Sequence, residues 1–384
     1  MTRVAISGIG IVAPDAIGLD AFRALLASGR TAVARSERFD QIAALVRDFK
    51  PRDFINPMKM RRMNSLSRFG MAAAKLALTD AGIDPGRNTG VALGTAFGPV
   101  QTSVDYMQEY VEKGAALAPP QLFAESVANA PGSHIAIESD FRGFNITITQ
   151  RESSALAAAM YAASQLVKGS VDAALTGGVE EVNEITLSIL DRLNALSHQP
   201  ARPFDKARDG MSMGEGGAVL LLQPRAAKSY AFFSGFGMAR DTTASISDWG
   251  DDHFAVVTAM RAAIDDAEIA VSDVDAVYAS ANGSVRGDAL EGRAIEELFA
   301  DRIPPVVATK GYFGEYAAGG ALQLVAAVVA IDEQTLHASA GFESGDFRFT
   351  PNRDRRPCAL RHVLVNSVSA GGGIVCAVLS REAA

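Results

Sequence analysis

Short runs of apolar residues without polar alternation recur along the chain. Examples are residues 173–175 (AAL), 218–222 (AVLLL) and 363–365 (VLV). A strand that is apolar on both faces belongs in a sheet covered by helices on both sides. The pattern therefore predicts an α/β fold whose sheet is largely buried.

A strand, a tight turn and an Ala-rich helix occur in this order twice, at residues 146–168 and again at 306–334. Each turn contains small residues, and each helix is apolar on most of its faces, so we expect both helices to be buried. This repetition predicts a duplicated architecture. We place the divide where residues 224–228 (PRAAK) precede a fresh strand, which gives an N-terminal half at 1–227 and a C-terminal half at 228–384.

Composition and charge indicate a globular protein with a large core. The chain has 384 residues, of which 48% are hydrophobic and 21% charged, and its net charge is −8. We therefore expect neither nucleic acid nor membrane as a partner. One local group of basic residues is an exception, which a solvated helix face would explain: Lys50, Arg52, Lys59, Arg61, Arg62 and Arg68.

Cysteine and histidine spacing argues against disulfides and metal sites. Two cysteines, Cys358 and Cys376, are too few for a disulfide framework and indicate a reducing compartment. Cys376 lies in an apolar run typical of a buried strand, so we expect a packed thiol. The five histidines form no metal-binding spacing. The N-terminal apolar run reads as a core strand and no stretch is long enough to cross a bilayer, so we expect a cytoplasmic protein.

Residues 143–156 (GFNITITQRESSAL) resemble the strand-to-helix elbow of the β-ketoacyl synthase family. The family carries its nucleophilic cysteine there, and the downstream segments 168–172 (KGSVD) and 177–180 (GGVE) align Glu152 with it. The start of a helix favours negative charge, so we expect this position to stabilise Glu152 as an anion. It cannot replace a thiolate, because acyl transfer to a carboxylate gives an easily hydrolysed mixed anhydride.

The same resemblance locates the two histidines that assist the cysteine in the family. Residues 279–284 (ASANGS) resemble the first histidine segment, with Asn282 in the histidine position. Residues 307–315 (VATKGYFGE) resemble the second, with Lys310 retained and Glu315 in place of histidine. Asparagine cannot carry a proton between reactants. All three chemical positions therefore differ from the family pattern, and we expect no catalytic residue in this chain.

The resemblance covers essentially the whole chain. It includes the opening strand, residues 202–205 (RPFD) and residues 208–218 (RDGMSMGEGGA). It implies the thiolase fold, a duplicated α/β architecture of five αβαβα layers. The loop at 366–373 (NSVSAGGG) departs again, because Val368 and Ala370 stand where the family has two phenylalanines, the second of which gates the nucleophile.

What the resemblance implies is a chain-length factor, a silent subunit that forms a heterodimer with an active ketosynthase in a type II polyketide, aryl-polyene or fatty-acid-like pathway. Such a subunit shapes the tunnel for the growing acyl chain. It needs no cofactor of its own, since the partner uses the phosphopantetheine of acyl carrier protein. Candidates for lining the tunnel or the interface are Tyr106, Met107, Tyr110 and Phe123, although ordinary packing against the dimer mate explains each equally well. Candidates for docking the carrier protein are Lys59, Arg61 and Arg62.

Two other readings stay open. One is an enzyme with altered chemistry, such as a malonyl-carrier-protein decarboxylase using Glu152, Asn282 and Glu315, or a hydrolase with Glu152 as base. It predicts a raised pKa on one of the two carboxyl groups. An anionic Glu315 would oppose the charge formed in decarboxylation, and polar residues filling a disused pocket are a simpler account. The other is a self-associating scaffold unrelated to polyketides, because fold does not determine function.

Overall fold

The computed structural model describes residues 3–36 and 38–381. The strands are β1 Val4–Ala13, β2 Ala16–Ile17, β3 Ala34–Arg35, β4 Ile42–Ala44, β5 Thr89–Gly94, β6 Asn145–Ile148, β7 Ala173–Glu180, β8 Met213–Gly214, β9 Gly216–Gln223, β10 Ala231–Arg240, β11 Ala276–Ala279, β12 Val306–Ala308, β13 Thr335–Leu336, β14 Arg356–Pro357, β15 His362–Val368 and β16 Gly373–Ser380. The helices are α1 Leu19–Ser28, α2 Pro57–Met60, α3 Ser65–Ala81, α4 Val100–Lys113, α5 Pro120–Glu125, α6 Ala130–Glu138, α7 Ser154–Val167, α8 Glu184–Arg192, α9 His253–Asp266, α10 Val285–Leu298, α11 Lys310–Phe313 and α12 Ala321–Glu333. Short 3-10 turns lie at Pro51–Asp53, Arg151–Ser153, Val271–Asp273 and Ala317–Gly320.

The main sheet repeats one strand order in its two halves. From the centre outward the order is β1-β9-β7-β5-β6 on one side and β10-β16-β15-β11-β12 on the other. The halves meet where β1 pairs with β10, over a register that runs only from Val4 to Ile6. Each half thus has two antiparallel pairings nearest the centre and parallel pairings farther out. This repetition confirms the predicted duplicated thiolase fold.

The predicted Ala-rich helices form the middle layer between the two halves of the sheet. Helices α7 and α12 share one core cluster with residues of β1, β9 and β16. Every residue of α12 from Ala321 to Ile331 is buried. Helices α3 and α6 cover the outer face of the N-terminal half, and α9 and α10 cover that of the C-terminal half. Small side chains on the central helices α7 and α12 allow the strands to pack closely against them. The expectation that both helices are buried is confirmed.

Equivalent glycines bring the outer helices onto the central strands in both halves. A Cβ at Gly10 in β1 would lie 1.9 Å from the carbonyl oxygen of Ala73 in α3. A Cβ at Gly237 in β10 would lie 2.0 Å from the carbonyl oxygen of Ala259 in α9. Both central strands also change register at a nearby glycine. The two halves of the scaffold therefore repeat even in individual backbone contacts. The boundary between the halves at residues 227 and 228 stays a prediction.

The two strand-to-helix connections meet in the middle of the molecule. The first joins β6 to α7 through the turn Arg151–Ser153, and the second joins β12 to α12 through α11 and the turn Ala317–Gly320. They are close enough that a Cβ at Gly320 would lie 2.7 Å from the carbonyl oxygen of Glu152. The residues that differ from the family's catalytic pattern lie at this meeting point. Among the described residues, no helix has the length and apolarity needed to cross a bilayer.

Candidate functional site

The elbow between β6 and α7 presents Glu152 at the centre of the molecule. Arg151 has a left-handed backbone (φ 48°), which turns the chain sharply before the helix begins. The Glu152 side chain is 2% exposed. Its Oε1 accepts a hydrogen bond from the Tyr316 hydroxyl (2.8 Å), and its Oε2 is buried without a partner among the described residues.

The environment of Glu152 favours the protonated carboxyl group. Burial, followed by the neighbouring charge of Glu315, raises the pKa of Glu152 to about 7. The expectation that the helix start stabilises the Glu152 anion is therefore wrong. The carboxylate loses more hydration free energy on burial than it gains from the positive end of the helix. The raised pKa that the altered-enzyme reading predicts is present on Glu152.

Glu315 is held by an ion pair and two further hydrogen bonds. Its Oε2 lies 2.7 Å from the Lys310 Nζ and accepts a second bond from the Asn282 Nδ2 (2.7 Å). Its Oε1 accepts the backbone N–H of Tyr316 at 2.8 Å. All of these groups are buried, so dissolved salt weakens the Lys310–Glu315 ion pair very little. The structure thus brings Glu152, Asn282, Lys310 and Glu315 together, as their alignment with the family site requires.

Tyr316 is a site residue that sequence reasoning missed. Its ring packs edge-on against Phe97 (centroids 4.9 Å apart), and its backbone is left-handed (φ 64°). Burial, with the charges of Glu152 and Glu315, raises the pKa of its hydroxyl well above the usual range. It therefore remains a neutral donor to Glu152. Its position next to Glu315 in the sequence was the only available signal.

A cavity of about 300 Å³ opens onto Glu152 and Tyr316. Its outer wall includes Arg286, which pairs with Asp248 (2.7 Å) and Asp251 (2.9 Å) and so ties α10 to the loop before α9. None of the five histidines lines it. The other residues of its wall are Arg151, Leu190, Leu193, Asn194, Ala195, Asp209, Gly210, Met211, Ser247, Trp249, Ser284, Val285 and Ala370.

Comparison with known proteins agrees with this geometry. The family model described as "Beta-ketoacyl synthase, N-terminal domain" matches residues 1–227, and that described as "Beta-ketoacyl synthase, C-terminal domain" matches residues 230–343. The chain belongs to the β-ketoacyl synthase family.

Relatives that match over nearly their whole length include a 3-oxoacyl-[acyl-carrier-protein] synthase and a polyketide beta-ketoacyl synthase. The chain is 30% identical to the 3-oxoacyl-[acyl-carrier-protein] synthase 2 of Coxiella burnetii, over 99% of this chain and 98% of that protein. It is 32% identical to the putative polyketide beta-ketoacyl synthase 1 of Streptomyces cyaneus, over 98% of this chain and 97% of that protein. Among solved structures, the ishigamide ketosynthase/chain length factor superposes with a TM-score of 0.90 at 24% identity over 100% of both chains, which shows the shared fold.

The loop that gates the nucleophile in active ketosynthases is tied to the elbow here. Val368 packs in the core of the C-terminal half, whereas Ala370 lines the cavity. The Ser153 and Ser369 hydroxyl oxygens are 2.6 Å apart, and the Ser367 hydroxyl donates to the carbonyl oxygen of Glu152 (2.8 Å). Small residues and serine hydroxyls thus replace the bulky aromatic gate of the family pattern.

The four tunnel candidates lie on a surface away from this cavity. Tyr106, Met107 and Tyr110 are on α4, and Phe123 is on α5. The Tyr106 ring is half-buried with its centroid 5.5 Å from that of Phe123, while Met107 and Phe123 are 53% and 58% exposed. None of the four lines the cavity at Glu152. Their exposure leaves them free to contact another chain.

The basic docking candidates do not share a long helix. Lys59 is on the short helix α2, and Arg61 and Arg62 lie in the turn that follows it, before α3 begins. The prediction that the six basic residues, these three included, occupy one solvated helix face is therefore wrong, because Asn64 caps the new helix α3 between Arg62 and Arg68. All three side chains are exposed, and Lys59 pairs with Glu138 (2.5 Å).

Proposed function

We propose that this chain is a catalytically silent ketosynthase-like subunit that pairs with an active ketosynthase. The observation that carries the proposal is Glu152 at the nucleophile position, buried and hydrogen-bonded to Tyr316. Among the described residues, the site has no thiolate to accept an acyl group and no histidine to move a proton. The product would be a polyketide, polyene or fatty-acid-like chain made by the pair, in the cytoplasm.

An exposed edge of the molecule supports the pairing. Strand β6 ends the sheet and, in the part of the chain that the structure describes, pairs with β5 alone, so one row of its backbone hydrogen-bonding groups has no strand partner there. Exposed apolar side chains also lie on α4, on α5 and in the segments beside them, and such a surface marks a protein contact. They are Met107, Tyr110, Val111, Leu117, Phe123 and Val127.

We assign this surface to the ketosynthase partner, where it would complete the dimer and wall the acyl tunnel. The exposed Arg61 and Arg62 would attract an acidic acyl carrier protein, whose phosphopantetheine serves the active site of the partner. In this scheme the chain contributes shape and stability, and the partner contributes the chemistry.

Co-purification with a ketosynthase of the same biosynthetic system tests the pairing. Phe123→Glu places a charge in the proposed interface, so we expect it to abolish co-purification. Phe254→Glu is a matched control, because Phe254 has a similar exposure (55% against 58%) but lies on α9, on the outer face of the other half. Equal co-purification of both variants would contradict this interface.

Product length tests the tunnel role separately. In a reconstituted pair, Tyr106→Ala and Met107→Trp enlarge and reduce the space beside the partner. We expect longer products from the first variant and shorter ones from the second, measured by mass spectrometry. Unchanged lengths across both variants would remove the tunnel role and leave a purely structural partner.

One observation favours altered chemistry as a second candidate. Glu152 has a pKa of about 7, and its carboxyl group lies at a cavity, as a general base requires. The ion-paired Glu315 argues against decarboxylation, since its charge opposes an enolate. Release of carbon dioxide from malonyl-carrier protein by this chain alone, lost in Glu152→Ala, would establish this candidate in place of the first.

A further inference from the structure

The chain between the start of α4 and the start of α6 lies almost wholly on the surface. We call residues 103–129 the arm and the rest of the chain the body; the arm holds most of α4, the whole of α5 and the turns around them. Within this range every residue is exposed or half-buried except Glu125, which is 6% exposed. A glutamate is almost never buried without a polar partner. The one residue that the arm buries is therefore of a type that needs specific bonds.

Glu125 contacts two helices of the body. Its Oε1 lies 2.7 Å from the His134 Nε2 on α6. Its Oε2 accepts the backbone N–H of Asn64 (3.3 Å) and the Ser67 hydroxyl (3.4 Å) at the start of α3. The Glu125 carbonyl oxygen also accepts from the Asn64 Nδ2 at 2.8 Å. One residue of the arm thus bonds to both helices that cover the outer face of the N-terminal half.

The groups that bond to Glu125 are fixed by the core. Ile135, which follows His134 on α6, is buried in the same core cluster as Met71 of α3. Asn64 is the N-cap of α3, and its side chain holds the first turn of that helix. Glu125 therefore bonds to donors whose positions do not depend on the arm.

The aromatic contacts of the arm, by contrast, lie within it. The ring centroid of Tyr106 on α4 is 5.5 Å from that of Phe123 on α5 and 6.3 Å from that of Tyr110. None of these three residues belongs to a core cluster of the described part of the chain. The rings join α5 to α4, and Glu125 joins α5 to the body.

Loss of the Glu125 bonds would therefore release α5. This helix has six residues, too few to be stable in isolation. A second bond to the body runs from the Gln121 Nε2 to the carbonyl oxygen of Arg62 (3.2 Å), but it is exposed to water, where a hydrogen bond is weaker than in a buried site. Segments with few buried apolar contacts open locally at low free energy. We therefore expect the bonds of Glu125 to determine how often the arm leaves the body.

We propose that Glu125 is a positioning residue that holds the arm in the conformation which the ketosynthase partner binds. The inference rests on the proposed function, because Met107, Tyr110 and Phe123 of the proposed interface all lie on the arm. While Glu125 is bonded to α3 and α6, these side chains share one surface. When its bonds break, that surface is lost, so the partner binds the held conformation and shifts the population toward it. Glu125 itself acts through the arm, since it is buried.

Hydrogen exchange of the full chain, followed by mass spectrometry, tests the holding role without a partner. Glu125→Ala removes the side-chain bonds, and we expect the amides of residues 103–129 to exchange at least about tenfold faster than in the wild type. The amides of α7 and α12 should exchange as before, which shows that the core is folded. Unchanged exchange of the arm in Glu125→Ala would overturn the proposal.

Three further variants make the exchange measurement specific. Glu138→Ala is the matched control, because Glu138 lies on α6 and pairs with Lys59 on α2, and neither residue belongs to the arm. We expect its arm to exchange like that of the wild type, and acceleration equal to that of Glu125→Ala would contradict the proposal. Glu125→Gln keeps the side-chain length and one acceptor oxygen, so it should recover part of the loss. His134→Ala removes one of the same contacts from the body and should accelerate exchange by a smaller factor, which keeps the test decisive if Glu125→Ala fails to fold.

Affinity for a ketosynthase of the same biosynthetic system tests the role in pairing. We expect Glu125→Ala to weaken binding at least about tenfold, Glu125→Gln to weaken it less, and Glu138→Ala to leave it unchanged. Faster exchange of the arm with unchanged affinity would overturn the proposal and leave the pairing intact. Failure of the wild-type chain to bind the ketosynthase would instead overturn the proposed function, and with it the role of Glu125 in pairing.

Discussion

The two strand-to-helix connections of this molecule occupy equivalent places in a duplicated fold but differ in length and in the side chains that they contribute. The first passes from β6 to α7 through a single short turn and contributes Glu152. The second passes from β12 to α12 through a longer segment and contributes Lys310, Glu315 and Tyr316. The scaffold around them, by contrast, repeats closely, as the contacts of Gly10 and Gly237 with the outer helices show.

This difference shows where the sequence departs from the family pattern. The close-packed strands and helices retain the family fold, because any larger residue at these glycines would collide with backbone. Two of the three family positions, at Glu152 and Glu315, lie in these connections, whereas the third, at Asn282, lies between β11 and α10.

The largest effect is expected from breaking the charge pair of the second connection. Lys310→Met leaves Glu315 buried beside Glu152 without a cation, which costs about 3–5 kcal/mol of unfolding free energy. The double variant Lys310→Met with Glu315→Leu removes both charges and is expected to recover much of this loss. Urea unfolding of the three proteins measures it. A single variant as stable as the wild type would show that the pair contributes nothing.

A glycine substitution in each half tests how closely the scaffold repeats. Gly10→Ala and Gly237→Ala each force a Cβ into the backbone of an outer helix, with contact distances of 1.9 and 2.0 Å. We expect each to lower the unfolding free energy by about 3 kcal/mol, the upper end for overpacking. The two losses should be similar. A substitution tolerated in one half alone would contradict an equivalent packing of the two halves.

Removing the hydroxyl that joins the two connections should have a smaller effect. Tyr316→Phe leaves the Glu152 Oε1 buried without its donor, at a cost of about 2 kcal/mol. The variant should also raise the pKa of Glu152 further, because the lost hydrogen bond lowers it. Carbon-13 NMR of the labelled glutamate carboxyl groups follows this titration. Tyr312→Phe is a control, since its hydroxyl donates to Ala338 and not to a carboxyl group.

The pH dependence of stability follows from the same carboxyl group. Glu152 has a pKa of about 7 in the folded protein against an ordinary value of 4.5, so the folded state holds its proton more tightly than the unfolded state. Its favourable contribution is complete below the ordinary value and is lost as the pH rises through about 7. Glu180 (about 8) and Glu291 (about 7) act in the same direction.

We therefore expect the unfolding free energy to fall between about pH 5 and pH 8, and Glu152→Gln to reduce the slope by at most about 1.4 kcal/mol per pH unit. Urea unfolding across this range measures both slopes. Identical slopes for the wild type and the variant would mean that Glu152 does not exchange its proton on unfolding.

The fold was predictable because its signals are periodic and local. Apolar runs indicated the buried strands, and the two Ala-rich helices indicated the middle layer and the duplication. The pairing of β1 with β10, which joins the halves, leaves no trace in residue patterns because it depends on contacts between distant segments.

The site was predictable only where alignment with the family reached. Glu152, Asn282, Lys310 and Glu315 come together as expected. Tyr316 escaped notice because its role depends on a left-handed backbone that brings its ring across to the first connection. The expectation of a stabilised Glu152 anion was wrong because burial, which raises the pKa of this carboxyl group to about 7, cannot be judged from a helix start alone.

The most direct test of the silent-subunit account is elongation of malonyl-carrier protein by the reconstituted pair. One preparation carries Glu152→Ala in this chain, and another carries alanine in place of the elbow cysteine of the partner. The account predicts activity close to that of the wild-type pair in the first preparation and none in the second. Loss of elongation in the first preparation, with the pair still assembled, would contradict it and assign chemistry to Glu152.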